Sequence, residues 1–370
     1  MGIESANLQY MTASRKLIDL FCGAGGLSLG AHLAGFTTEL AVDVDSNLTS
    51  SFDENFPGAE LLLADISRMS GKLLLEKAGL TNDKTFGLIG GPPCQGFSLM
   101  GNRDENDPRN TLIGHFFRLI QETKPAFFVM ENVPGILIGK PRLLLESAMS
   151  DLKGYNMLGP IRVEASDFGA ATKRERIVVI GLRDGQITQQ QVDQQRVKEK
   201  ATVRCAISDL PEPVTDGWAS YRNVAAISPY AERAREFHEP LGAVLLKEQM
   251  KQGRISGVQP TEHTRIVRRR FSRVPVGKTD SISRCPRLDW DFLAPTLRAG
   301  TGPEHGSFQS IRPIHPTSDR VITVREGARL QGFPDWFKFH DTKWHSFRMI
   351  GNSVSPFMSE ALLKAIASAI

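Results

Sequence analysis

The chain has 370 residues, 41% of them hydrophobic and 23% charged, with a formal net charge of +4, enough apolar material for a full core and enough length for two domains. No run approaches membrane-span length, and residues 1–15 lack a basic start followed by an apolar stretch, so a cytoplasmic chain is expected. The four cysteines, Cys22, Cys94, Cys205 and Cys285, show neither a CxxC pair nor a His/Cys cluster, which points away from disulfides and zinc, while the mild positive charge permits a polyanionic partner without requiring one.

Residues 16–20, Lys-Leu-Ile-Asp-Leu, read as a first strand, residues 21–26 as a tight glycine turn and residues 27–34 as the opening of a helix. Such a turn cradles a nucleotide. Gly23-x-Gly25 followed by Ser28 is nearly a dinucleotide fingerprint, so a nicotinamide enzyme and an S-adenosylmethionine enzyme are both open at this point. Residues 39–42 read as a second strand ending at Asp43, about where an acid meets ribose hydroxyls in such folds, and residues 61–64 as a third ending at Asp65-Ile66.

Residues 86–89 form an apolar run too short for a helix, closed by Gly90-Gly91-Pro92-Pro93. Cys94 therefore stands just past a strand end on a stiff loop, because the prolines fix φ and the glycines admit a close neighbour. A small apolar residue at a turn is the alternative reading of that cysteine. Residues 100–110 are polar and suit either a lid or a plain surface loop. Residues 111–123 have helical spacing, and residues 126–130 read as a strand delivering Glu131 to its carboxyl end, where ligands bind in open α/β sheets. The alternation of strand and helix predicts a doubly wound, mostly parallel α/β sheet.

Pro93-Cys94-Gln95 and Glu131-Asn132-Val133 match, residue for residue, two motifs of the DNA cytosine-5 methyltransferases, which this chain resembles. The resemblance implies an S-adenosylmethionine-dependent methyltransferase fold carrying a smaller, irregular target recognition domain. It also implies methyl transfer from S-adenosylmethionine to carbon 5 of a cytosine flipped out of a specific duplex DNA sequence, through a covalent Cys94 adduct and without a metal. Phe21, Gly23, Gly25, Gly26, Leu27, Asp43, Val44, Asp65, Ile66, Pro92, Asn352 and Val354 would then serve the cofactor, with Asp43 standing where the family more often has Glu. Gln95 and Ser98 would meet DNA. Lys173-Arg174-Glu175-Arg176 resembles the motif whose paired arginines reach the base and the carboxylate, although Ala171-Thr172 replaces the family's Pro-Gln.

Residues 183–200 turn polar and glutamine-rich and read as a linker, after which the chain is irregular as far as about residue 316. Within it, residues 263–273 interleave arginines with Thr, Ser and Phe, as a phosphate-tracking surface needs, making Arg268, Arg269 and Arg270 candidate DNA contacts. Thr296 and Leu297 resemble the family's Thr-Leu segment in the target recognition region. Thr323-Val324-Arg325-Glu326 is a capping box opening a helix through Leu330, and Ser355-Pro356 caps a last helix to about Ile366. The expected division is a catalytic domain over residues 15–185 plus 340–370 and a recognition domain with its hinge over residues 186–339. The resemblance further implies a monomeric, bacterial, nucleoid-associated enzyme of a restriction-modification system. A tRNA cytosine-5 methyltransferase of the same fold and a catalytically silent DNA-binding relative are the competing readings.

Overall fold

A computed structural model describes residues 15–81, 85–93, 112–300 and 312–370. Seven strands, β1 (Arg15–Leu20), β2 (Phe36–Asp43), β3 (Glu60–Leu63), β4 (Gly87–Gly90), β5 (Phe127–Asn132), β6 (Asn156–Glu164) and β7 (Glu175–Leu182), form one sheet in the order β3-β2-β1-β4-β5-β7-β6. The pairs among β1 to β5 are parallel, and β7 runs antiparallel between β5 and β6. The predicted, mostly parallel sheet is therefore observed.

The inner strands β1, β4, β5 and β7 are largely apolar on both faces because both faces are covered. Leu17, Ile89, Val129 and Ile180 pack into the cluster on one side. Their neighbours Ile18, Leu88, Phe128 and Val179 pack on the other, the two-residue period of a pleated strand. Glycine is required where rings cross the sheet: a Cβ on Gly87 would lie 2.2 Å from the Phe127 ring, its register partner, and one on Gly181 would lie 2.1 Å from Phe128.

The chain order reverses between β1 and β4, which opens a crevice at the carboxyl ends of the parallel strands. The last helix, Pro356–Ala367, lies against the first, Gly26–Leu33. A Cβ on Gly30 would be 2.4 Å from that of Ser359, and the Ser359 hydroxyl donates to the Leu27 carbonyl at 2.8 Å. Ser355 occupies the cap position expected of it, but its hydroxyl donates to the Gln331 carbonyl at 2.9 Å rather than to its own helix.

Beyond the sheet, the stretch read as a linker contains a short helix, Gln189–Asp193, with Thr188 and Gln191 forming a full capping box. Further helices include Val203–Ile207, Pro229–Arg235, Val244–Lys251 and Arg265–Phe271, with a ribbon of β8 (Trp218–Ser220) and β9 (Arg254–Ser256). The predicted capping box at Thr323 and Glu326 opens a helix, Val324–Gln331, that is buried along its whole length. Inside it Arg329 donates to Asp335 at 2.6 Å from both Nε and Nη2, and to Asp209 at 3.2 and 3.3 Å. The guanidinium is fully buried, so these two carboxylates are what make its burial tolerable. The apolar cluster containing Leu17 runs on without a break through Leu210, Tyr230 and Trp336.

Candidate active site

The turn after β1 is shaped by left-handed backbone. Phe21 has φ of 60°, Gly23 of 51° and Gly25 of 90°. Two of its glycines are held by contact: a Cβ on Gly25 would meet the Phe56 ring at 2.4 Å, and one on Gly26 would meet the Val354 carbonyl oxygen at 2.3 Å. The terminal segment thus closes directly on the turn. Asp43, at the end of β2, accepts from Gly23 N and from Asp45 N at 2.9 Å each, one to each carboxylate oxygen. Burial pushes its pKa up, against the pull of those backbone N–H groups. Asp65 lies past β3, accepts from Ser67 N at 2.9 Å, and is held below the usual carboxylate range chiefly by that bond.

These elements wall a cavity of about 520 Å³. Every predicted cofactor residue except Gly25 lines it: Phe21, Gly23, Gly26, Leu27, Asp43, Val44, Asp65, Ile66, Pro92, Asn352 and Val354. Gly25 stands behind the wall against Phe56. Val44 is 69% exposed and gives the cavity an open apolar lip.

Glu131, Arg174 and Arg176 line the same cavity. Arg176 Nε is 2.7 Å from Glu131 Oε1, both side chains are about a tenth exposed, and Arg176 Nη1 donates to the Glu175 carbonyl at 2.7 Å. The second terminal nitrogen of Arg176 takes no partner among the described residues. Glu131 Oε2 faces Gly91, where a Cβ would stand 3.2 Å away, so the glycine keeps that oxygen accessible. Asn132 donates to the Pro92 carbonyl at 2.8 Å and ties the end of β5 to the loop after β4. Pro93 is on the cavity wall. Cys94, Gln95 and Ser98 lie outside the described residues, as does the loop read as a lid. Cys22 also lines the cavity, but burial with Asp19 and Asp43 nearby pushes its thiol far above the ordinary value, which unfits it as a nucleophile.

Arg174 is directed differently from Arg176. It is buried, with Nη1 donating to the Leu297 carbonyl at 3.3 Å and Nη2 to the Gly351 carbonyl at 2.9 Å. Of Thr296 and Leu297, expected at the DNA, Leu297 is buried, whereas Thr296 is exposed with its hydroxyl donating to the Lys173 carbonyl at 2.6 Å. Of the three successive arginines, Arg268 and Arg269 are exposed on the helix Arg265–Phe271, whereas Arg270 Nε donates to both Asp280 oxygens at 3.1 Å.

Sequence reasoning missed Arg348, whose Nη2 is 3.1 Å from Asp45 Oδ2 across the cavity mouth. Its spacing of four from Asn352 on the helix Lys343–Asn352 was the available signal, since i and i+4 share a helix face.

A mostly parallel seven-stranded sheet with an antiparallel β7 and this cavity at its carboxyl end defines a methyltransferase fold. A crystal structure described as a DNA modification methyltransferase encoded within a prophage (E. coli) superposes with a TM-score of 0.85 at 38% identity, covering 96% of this chain and 99% of that one. The Dnmt2 methyltransferase of S. pombe shares the fold, with a TM-score of 0.63 at 16% identity over 96% of this chain and 99% of that one. The C-5 cytosine-specific DNA methylase family matches residues 15–368, and the chain belongs to that family. It is 38% identical to the Type II methyltransferase M.XorII of Xanthomonas oryzae pv. oryzae, over 95% of this chain and 84% of that one. To M.DdeI of Desulfomicrobium norvegicum it is 32% identical, over 95% and 88%. The protein is accordingly a DNA cytosine-5-methyltransferase, and the tRNA and silent-relative readings give way to it. Among the described residues no helix is long and apolar enough to cross a membrane, and no cluster of His, Cys, Asp or Glu could hold a metal.

Proposed function

We propose that this enzyme moves a methyl group from S-adenosylmethionine to carbon 5 of a cytosine swung out of duplex DNA, by way of a transient bond from Cys94. The observation that carries this reading is the Glu131–Arg176 pair at 2.7 Å, set in the same cavity as the glycine turn, Asp43 and Asp65, with Pro93 on its wall. The cavity suits the cofactor: its volume falls within the usual ligand range, it has two acids at strand ends, and Gly23 has nothing within 4 Å of where its Cβ would be. Asp43 would hold ribose hydroxyls, Asp65 and Ile66 the adenine, and Phe21, Val44 and Val354 its apolar faces. S-adenosylmethionine supplies a methyl already activated by a positive sulfur.

The residues of the chain act on the pyrimidine. Carbon 5 of cytosine is a weak nucleophile because its electrons belong to an aromatic ring. The Cys94 thiolate adds to carbon 6, the 5,6 double bond opens, and the displaced electron pair makes carbon 5 nucleophilic, replacing one hard step by two easier ones. Glu131, when protonated, donates to N3 and accepts from the exocyclic amine, a fit that thymine's edge cannot repeat. Arg176 orients that carboxyl through Nε and keeps a terminal nitrogen for the carbonyl oxygen of the base. After transfer the proton on carbon 5 leaves, the double bond re-forms and Cys94 departs as thiolate. Base extrusion costs roughly a few kcal/mol, which phosphate contacts at Arg268 and Arg269 would offset.

On this reading residues 15–185 and 340–370 form the catalytic unit and residues 186–339 recognise the target. The enzyme works as a monomer in a bacterial cytoplasm, in the restriction-modification setting of its Type II relatives. The test is transfer of labelled methyl to unmethylated duplex DNA, with a trap on duplexes containing 5-fluorocytosine. Cys94→Ala should lose transfer and trapping while S-adenosylmethionine still binds. Full activity in that variant would refute the role of the cysteine.

A further inference from the structure

At Thr172 the structure shows a joint. Thr172 is fully buried, and its hydroxyl lies 3.2 Å from the Ala294 carbonyl and 3.1 Å from that of Pro295. Around it residues 171–174 and 294–297 run side by side. Ala294 N donates to the Ala171 carbonyl at 2.9 Å, Lys173 N donates to the Ala294 carbonyl at 2.8 Å, and Thr172 and Ala294 form a parallel bridge. Thr296 and Arg174 extend the same ladder through the Lys173 and Leu297 carbonyls. At its far end the segment rests on Gly351, where a Cβ would lie 2.3 Å from Ala299 N. Two residues beyond Arg174, β7 carries Arg176 to Glu131.

We propose that Thr172 is a positioning residue whose buried hydroxyl fixes the segment 294–299 against residues 171–174, and so couples contacts made by the recognition region to the orientation of Arg176 over the base. The inference rests on the function proposed above. Chemistry makes the hydroxyl specific. The Ala294 carbonyl has a second donor in Lys173 N, but among the described residues the Pro295 carbonyl has only this one. The Pro295 carbonyl is partly buried, and when it loses its only donor it must find water or stay unpaired, which favours movement of the segment that carries it. Valine keeps the shape and removes the donor. Serine keeps the donor and removes the methyl.

The experiment compares the native enzyme with Thr172→Val and Thr172→Ser. It uses labelled S-adenosylmethionine and unmethylated phage genomic DNA, maps the modified cytosines by bisulfite sequencing, and measures amide hydrogen exchange over residues 294–299. For Thr172→Val we expect kcat with DNA to fall by about tenfold and exchange at 294–299 to quicken by about as much, the fold-change belonging to one hydrogen bond. The modified sequence contexts should widen, while cofactor affinity and melting temperature stay near native. Thr172→Ser should return both kcat and exchange to near-native values. Native kcat and native exchange in Thr172→Val would overturn the proposal, as would a serine variant as impaired as the valine one, or a loss of rate matched by an equal loss of cofactor affinity. A native enzyme that transferred no methyl to duplex cytosine would sink the proposed function instead, and the exchange comparison would still decide the joint.

Discussion

Replacing Glu131 by glutamine removes one negative charge from a pair that is about nine-tenths buried, with Nε and Oε1 2.7 Å apart, while keeping an amide oxygen able to accept from Arg176. Unit charges 4 Å apart attract by about 4 kcal/mol at an effective dielectric of 20, and the amide's hydrogen bond to a charged donor retains about 1.5–3 kcal/mol of interaction. The fold should therefore survive with a loss of roughly 1–3 kcal/mol. Chemistry should suffer more, because an amide cannot pass a proton to N3, and a placed general acid contributes about 10²–10⁴-fold, or roughly 3–5 kcal/mol of barrier. Three measurements on Glu131→Gln separate the two effects: single-turnover methyl transfer, cofactor binding by calorimetry, and urea denaturation. Transfer should fall by at least about a hundredfold with cofactor affinity near native. A variant within tenfold of the native rate would refute the argument, since the ring would then need no acid from this strand.

Asp19 is fully buried, accepts from the Ser28 hydroxyl at 2.7 Å, and is pushed up to about 7 by that burial. Its folded value stands above the unfolded one, near 3.8, so the stability it contributes is full below about pH 4 and is lost as pH rises to about 7. Asp19→Asn should flatten that part of the stability profile, by a few kcal/mol in order of magnitude, in urea titrations from pH 4 to 8. Arg329→Ala would leave Asp335 only the Tyr221 hydroxyl and the more distant Arg325 charge, and Asp209 only its pair with Arg235. Thermal and urea unfolding should register a loss of about 3–5 kcal/mol, and a variant of native stability would show that the carboxylates neutralise themselves. Arg268→Ala and Arg269→Ala should each lower the slope of log affinity for DNA against log salt by about one, whereas Arg270→Ala should act mainly on stability because its partner is Asp280.

The inner parallel strands were legible because covering both faces leaves them as short apolar runs, so their ends, and with them Asp43 and Glu131, could be placed to within a residue or two, and the edge strand β3 was legible from its leucine run alone. Strand β6 was not. It is an edge strand, partly exposed along most of its length, and Gly159-Pro160 interrupts it where the register with β7 shifts between Leu158 and Ile161. The helix at Gln189–Asp193 hid inside a glutamine-rich stretch whose only helical signal was Thr188 three residues before Gln191. Both arginines of the Arg-x-Arg motif line the cavity, but the motif could not tell that Arg174 would be occupied by the carbonyls of Leu297 and Gly351, because those partners lie 123 and 177 residues away. For the same reason Thr172 read as a blemish in a motif rather than as a donor.

The cavity takes one wall from residues 21–27 and the facing one from residues 348–354, more than three hundred positions later in translation. A ribosome must therefore deliver the chain through at least residue 354 before the two walls can meet. A nascent chain halted near residue 340 would already hold every sheet strand, yet have nothing opposite the glycine turn. Synthesis past residue 354 thus becomes the gate on ligand capture, and products stalled before it should be silent rather than partially active.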